Sequence, residues 1–153
     1  LKTDLYPKGY HAINPILRVD DVTRALEYYK HAFGATEDFR RELGGRMQLV
    51  VIKLGDSRVM LVDRKNEPRR TAGGDPRGNG LMLKLYVENA DQTFARALQT
   101  GAREETPIED QYFGERSGML TDPFGFSWQI AEYKEEVPHD IIEQRMRKTQ
   151  ERS

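Results

Sequence analysis

The sequence predicts an α+β fold made of two β-α-β-β-β modules in tandem. Three observations carry that expectation. First, a pattern repeats. Leu17-Arg18-Val19-Asp20-Asp21 opens a stretch ending in Ala32-Phe33-Gly34-Ala35, and Leu85-Tyr86-Val87-Glu88-Asn89 opens a second ending in Leu98-Gln99-Thr100-Gly101-Ala102. Second, apolar residues inside both stretches recur at three- and four-residue spacing, the period of a helix with one buried stripe. Third, the remaining chain is cut by turn signals into short runs of strand length.

The elements follow in order. After the first strand, Val22, Ala25, Leu26, Tyr29, Ala32 and Phe33 form the helical stripe. Asp20 or Asp21 can cap its first amides, and Gly34 can take the left-handed conformation that ends it. Strands Thr36 to Glu42 and Met47 to Leu54 flank a Gly44-Gly45 turn, and Ser57 to Val62 follows Gly55-Asp56. This completes a first module over 10–63. Residues 64–80 are rich in Gly, Pro and Arg without periodicity and read as a linker or lid. In the second module, 81–134, Ala90, Phe94, Ala97 and Leu98 repeat the stripe, with Asn89 as cap and Gly101 as stop. A weaker strand near Ala102 to Glu104 comes next. Tyr112 to Leu120 and Phe126 to Tyr133 then flank the turn Asp122-Pro123-Phe124-Gly125. In the last segment, 135–153, Ile141, Ile142 and Met146 lie among charges, the pattern of a short amphipathic helix on the body or on a second subunit.

Bulk properties exclude several classes. With 153 residues, of which 37% are hydrophobic and 32% charged, there is material for a core under a very polar surface. A formal net charge of -1 gives no electrostatic reason to expect nucleic acid or an anionic membrane as a partner. The absence of Cys excludes disulfides, a thiol nucleophile and Cys-based metal sites, and it fits a cytoplasmic location. No apolar run is long enough to span a bilayer, and Leu1 to Tyr10 lacks a signal-peptide core. The chain starts with Leu rather than Met, which leaves room for residues ahead of it.

The ordered set of motifs resembles the vicinal-oxygen-chelate superfamily of glyoxalases, bleomycin-resistance proteins and extradiol dioxygenases. The matching pieces are Leu17 to Asp21 with Ala25-Leu26-Glu27-Tyr28-Tyr29 and Phe33-Gly34-Ala35, then Gly55-Asp56-Ser57, Leu85 to Asn89, and Thr121-Asp122-Pro123-Phe124-Gly125. They span roughly Tyr10 to Tyr133. Each motif is weak alone; their order is specific. The phrase Asp110-Gln111-Tyr112-Phe113-Gly114-Glu115-Arg116-Ser117-Gly118 is similar to the PhnB-like or glyoxalase-like branch. The resemblance implies two modules whose mixed sheets form a cup with the ligand between them, in a homodimer.

In metal-using relatives, His, Gln or Glu side chains from the first and last strand of each module hold a divalent ion. Alignment on the motifs puts Asn14, Met60, Met82 and Gln129 at those positions. Two thioethers and two neutral amides are poor ligands for hard or borderline ions, so the resemblance here implies no metal and no other cofactor. Of the three His, His31 and His139 read as surface residues, and His11 has the wrong strand parity for a ligand unless a bulge at Pro15 intervenes. Strand alternation aims Lys84, Tyr86, Ser127 and Ala131 the same way as Met82 and Gln129, while Trp128 and Ile130 pack under the helices. Asn14 shares a face with Ile16 and Arg18, and Met60 with Arg58 and Val62. Tyr112, Phe113 and Arg116 read as a cluster on the seventh strand, with Arg116 suited to a carboxylate or phosphate. Glu109, Asp110, Glu115 and Asp63 are acids that no spacing singles out.

The expected ligand set is therefore Asn14, Arg18, Met60, Met82, Lys84, Tyr86, Tyr112, Phe113, Arg116 and Gln129. For each Met, core filling stands beside ligand lining. Three functions follow in order: a metal-free protein that sequesters a small molecule such as an antibiotic or secondary metabolite; a glyoxalase-, isomerase- or dioxygenase-like enzyme with a displaced metal site; and a dimeric interaction module with a filled cup.

Overall fold

The computed structural model describes residues 4–66 and 80–152. Most of the expected linker or lid, 67–79, lies outside the described residues. The chain divides into two compact units, Leu1–Gly73 and Gly74–Ser153.

In the first unit, β1 (Ile16–Val19), α1 (Val22–Phe33), β2 (Thr36–Leu43), β3 (Arg46–Leu54) and β4 (Ser57–Asp63) follow one another, and a 3-10 turn, Arg64–Asn66, is its last described element. The sheet order is β1-β4-β3-β2, with β1 parallel to β4 and the other pairs antiparallel. The Asp21 carboxylate accepts from the Arg24 amide, so Asp21 rather than Asp20 is the cap, and Gly34 closes the helix at φ 72°. Leu26, Tyr29, Ile52 and Leu61 are almost fully buried between α1 and one sheet face. The Tyr28, Tyr29 and Phe33 rings pack on one another at 5.5–6.1 Å.

The second unit repeats the plan with β5 (Leu83–Tyr86), α2 (Ala90–Gln99), β6 (Arg103–Asp110), β7 (Glu115–Thr121) and β8 (Ser127–Tyr133), and adds α3 (His139–Arg152). The sheet order is β5-β8-β7-β6, with β5 parallel to β8. Asn89 caps α2 through the Gln92 amide, and the Glu132 carboxylate of β8 accepts from the Ala90 amide, anchoring the helix to the sheet. Leu120, Trp128 and Ile130 form the core beneath α2. The Trp128 indole N–H donates to Asp122, whose other oxygen accepts from the Phe124 and Phe126 amides. One buried carboxylate thus fixes both the β7–β8 turn and the core tryptophan.

Two boundaries differ from expectation. β6 runs to Asp110, far beyond the short strand the sequence suggested. It is exposed except at half-buried Ile108, so it lacks the alternation that marks a strand. Bulges bring it against β7 at Gly118, where a Cβ would lie 2.9 Å from the backbone of Thr106, Pro107 and Ile108. β7 starts at Glu115, not Tyr112, because Gln111 to Gly114 is a tight turn closed by the Gly114 amide on the Gln111 carbonyl.

Candidate functional site

Each sheet has one face under a helix and one turned away from it, and the site question concerns the second kind of face. In the second unit, register decides which residues share it. Lys84 pairs with Gln129, Tyr86 with Ala131, Ser117 with Ala131, Met119 with Gln129, and Glu115 with Tyr133. Pair partners project to the same side of a sheet. These residues therefore lie opposite Trp128 and Ile130, away from α2.

The centre of this face is a carboxylate. Glu115 is buried, and it sits on the sheet face opposite α2. The Lys84 ammonium donates to its Oε1 at 2.6 Å and the Tyr86 hydroxyl to its Oε2 at 2.6 Å. Both oxygens of a desolvated carboxylate are thus satisfied by charge-assisted or phenolic donors. Lys84 Nζ also lies 5.0 Å from the Tyr86 ring centre and 5.7 Å from that of Phe113. Burial pulls the Lys84 pKa down, but the hydrogen bonds and ion attraction from Glu115 and Tyr86 outweigh it and hold the ammonium above the ordinary lysine value. The Gln129 amide makes a long contact of 3.4 Å to the Ser117 hydroxyl. Beside the cluster, an open depression of about 470 Å³ is lined by Tyr86, Val87, Glu88, Glu132 and Tyr133.

Phe113 reaches this face from the turn before β7. Its ring meets Tyr112 edge-on at 5.2 Å. The segment after β8 grips that turn: the Lys134 and Glu135 amides both donate to the Gly114 carbonyl, and Arg145 of α3 donates to the Tyr112 carbonyl at 3.0 Å.

The other expected residues divide. Met82 precedes β5, on the same parity as Lys84, and is 41% exposed. Arg116 turns the opposite way. It pairs in register with Glu132 and binds the carboxylates of Asp91 and Asp110. The expected grouping of Tyr112, Phe113 and Arg116 on one strand is corrected: two lie in a turn, and the arginine is engaged by carboxylates of its own chain on the α2 side. In the first unit, Arg18 and Met60 share the face away from α1, with Ile16 and Val62. Asn14 lies in the loop ahead of β1, where its side chain accepts from the His11 amide and donates to the His11 carbonyl. Sequence reasoning named Glu115 only among several acids. The signal that singles it out is a lysine and a tyrosine two residues apart on a neighbouring stretch, both needing an acceptor.

The donor set does not fit the family's divalent metal. Asn14 is engaged with its own loop, Gln129 contacts Ser117, and the remaining two positions are thioethers. Among the described residues no group of three His, Asp or Glu is gathered.

Similarity to known proteins agrees with the two-module fold. A family model, the Glyoxalase/Bleomycin resistance protein/Dioxygenase superfamily, matches residues 11–130. The uncharacterized protein Mb0911c of Mycobacterium bovis is 34% identical over 144 residues, covering 88% of this chain and 91% of its own length. The crystal structure of the Arabidopsis thaliana At5g48480 product superimposes with a TM-score of 0.63 at 27% identity, covering 80% of this chain and 99% of that one. A putative 3-demethylubiquinone-9 3-methyltransferase, PhnB protein, from Bacillus cereus shares the fold alone, with a TM-score of 0.62 at 18% identity, covering 80% of this chain and 99% of that one. The chain belongs to the glyoxalase, bleomycin-resistance and dioxygenase superfamily.

Proposed function

We propose that this chain is a metal-free small-molecule-binding protein that holds an organic ligand on the face of the second sheet bearing Lys84, Tyr86, Glu115 and Gln129, with the Phe113 ring at its edge. The carrying observation is Glu115, a buried carboxylate satisfied by Lys84 and Tyr86 on the sheet face opposite α2. A charge pair of this kind is costly to desolvate and contributes little to stability against an apolar replacement. Its placement beside aromatic rings suits a site that needs oriented polar contacts within flat apolar surface. Sequestration of an aromatic antibiotic or secondary metabolite is the role this chemistry supports. Amide and thioether side chains at the family's ligand positions favour that reading over a metal-dependent enzyme.

The test combines metal analysis with a thermal-shift screen of aromatic natural products. Zn, Ni, Mn and Fe far below one per chain, and at least one stabilising compound whose shift is lost in Lys84→Met, are the expected results. A stoichiometric ion, or a screen without a binder, would overturn the proposal. Family resemblance further supports a homodimer, which light scattering would register as twice the chain mass, and the absence of Cys fits a cytoplasmic location.

A further inference from the structure

The same cluster narrows the class of ligand, on the footing that this face is the binding site. Lys84 and Glu115 carry opposite unit charges, and Tyr86 adds none, so the cluster is neutral as a whole. The carboxylate lies beneath: the Glu115 side chain is 8% exposed, against 34% for Lys84. Tyr86 is 56% exposed. A ligand therefore meets the ammonium and the phenol, and feels the carboxylate behind them.

The direction of each hydrogen bond then sets what these two groups offer. Tyr86 has one hydroxyl proton, and it goes to Glu115 Oε2. Its oxygen faces outward only as an acceptor. Lys84 has three N–H groups, one directed at Glu115 Oε1 and one toward the Tyr86 oxygen, which leaves one donor for a ligand and one lone pair on that oxygen. The surface thus presents a donor and an acceptor two residues apart on one strand, walled by the Tyr86 and Phe113 rings. A carboxylate ligand would gain little from an ammonium already compensated and would be repelled by the carboxylate behind it and by the outward lone pair of Tyr86. A cation would face Lys84 directly.

We infer that the site takes a neutral, planar aromatic ligand whose edge carries a hydrogen-bond acceptor next to a donor, as in a lactam, and that Glu115 excludes organic anions by cancelling the charge of Lys84.

Isothermal titration with two bicyclic probes of similar size tests this. Oxindole is neutral and carries the lactam edge; indole-2-carboxylate is an anion. The wild type should bind oxindole at least about tenfold more tightly than the anion. Glu115→Gln removes the negative charge; its Oε1 can still accept from Lys84, while its Nε2 donates to the Tyr86 oxygen and turns the Tyr86 proton outward, so it should reverse that order. Tyr86→Phe keeps the ring and the Lys84–Glu115 pair, so it should weaken oxindole about five- to tenfold and leave the anion no weaker. The second variant carries the test if the first does not fold. A wild type that binds the anion as well as the lactam, or binds neither probe, overturns the inference. In the first case the binding reading stands; in the second, the natural-product screen decides it separately. An oxindole affinity unchanged in Tyr86→Phe also overturns the inference.

Discussion

At the scale of single residues, Lys84 and Glu115 show how a polar pair can be organised without adding much stability. Replacing Lys84 by Met would leave a buried carboxylate that keeps the Tyr86 hydroxyl as a donor but has lost its ammonium. The expected loss is about 2 kcal/mol, read as a lower urea midpoint at neutral pH. The folded state holds the Lys84 pKa above its ordinary value. A raised lysine pKa means that this stabilisation is fully present below about pH 10.4, the unfolded value, and fades as pH climbs through the folded one. The stability gap between wild type and Lys84→Met should therefore stay constant from neutral pH to about 10 and close above it. A gap that closes on acidifying only to about pH 6 would contradict this assignment. The identity of this pair was hard to read from the chain. Thirty-one positions separate Lys84 from Glu115, and no periodicity reports a contact of that range. Lys84, Tyr86 and Gln129 were legible as one face because the motif alignment placed Met82 and Gln129 together and strand alternation carried Lys84 and Tyr86 with them. Arg116 was misplaced because the turn before it was read as strand, which hid where the alternation begins.

At the scale of elements, the helices were the clearest part of the sequence, since a 3.6-residue stripe with a cap at one end is a strong pattern. Asp21 and Asn89 cap as their spacing implies. β6 was the least clear. Its REETPIED sequence has one half-buried residue, and it is held by its ladder to β7 rather than by a buried stripe. Contacts between elements give two predictions. Gly114 is buried at φ 90°, and a Cβ there would lie 2.2 Å from the Glu135 carbonyl oxygen. Gly114→Ala should cost about 1–2 kcal/mol from backbone strain, with the Cβ clash adding to it. It should also push the 134–137 segment off the turn that carries Phe113, which raised amide exchange at Lys134 and Glu135 would report. The second concerns Asp91 in the first turn of α2. The Arg116 hydrogen bond, and then its charge, hold the Asp91 pKa below the usual carboxylate range. A lowered carboxylate pKa contributes stability above the unfolded value near pH 3.9 that is lost as pH falls through the folded one. The melting temperature of Asp91→Asn should therefore fall less steeply than that of wild type through this acid range.

At the scale of the whole molecule, two units built on one plan and a family match over residues 11–130 agree with the internal echo seen in the sequence. The departure from the family that we propose is chemistry at four positions, not architecture. If Asn14, Met60, Met82 and Gln129 hold no ion, a strong chelator should leave the melting temperature unchanged, and added Zn or Ni should not raise it. A ligand that binds only the folded state raises stability in proportion to the logarithm of its concentration over Kd, so a shift of several degrees with either metal would contradict the assignment. Among the described residues no helix is long and apolar enough to cross a membrane.

The outer strands of the two sheets have a consequence for handling the protein. β2 and β6 end their sheets, and both are covered with charge: Arg40 bridges Glu37 and Glu42, and Arg103 meets Glu105. Docking another chain's backbone along either rim would require stripping water from those ions. Concentrated stocks should accordingly resist fibre formation along these rims. Neutralising one of them, for instance with Arg40→Val and Glu42→Val together, should make thioflavin-positive aggregates appear where the unmodified chain gives none.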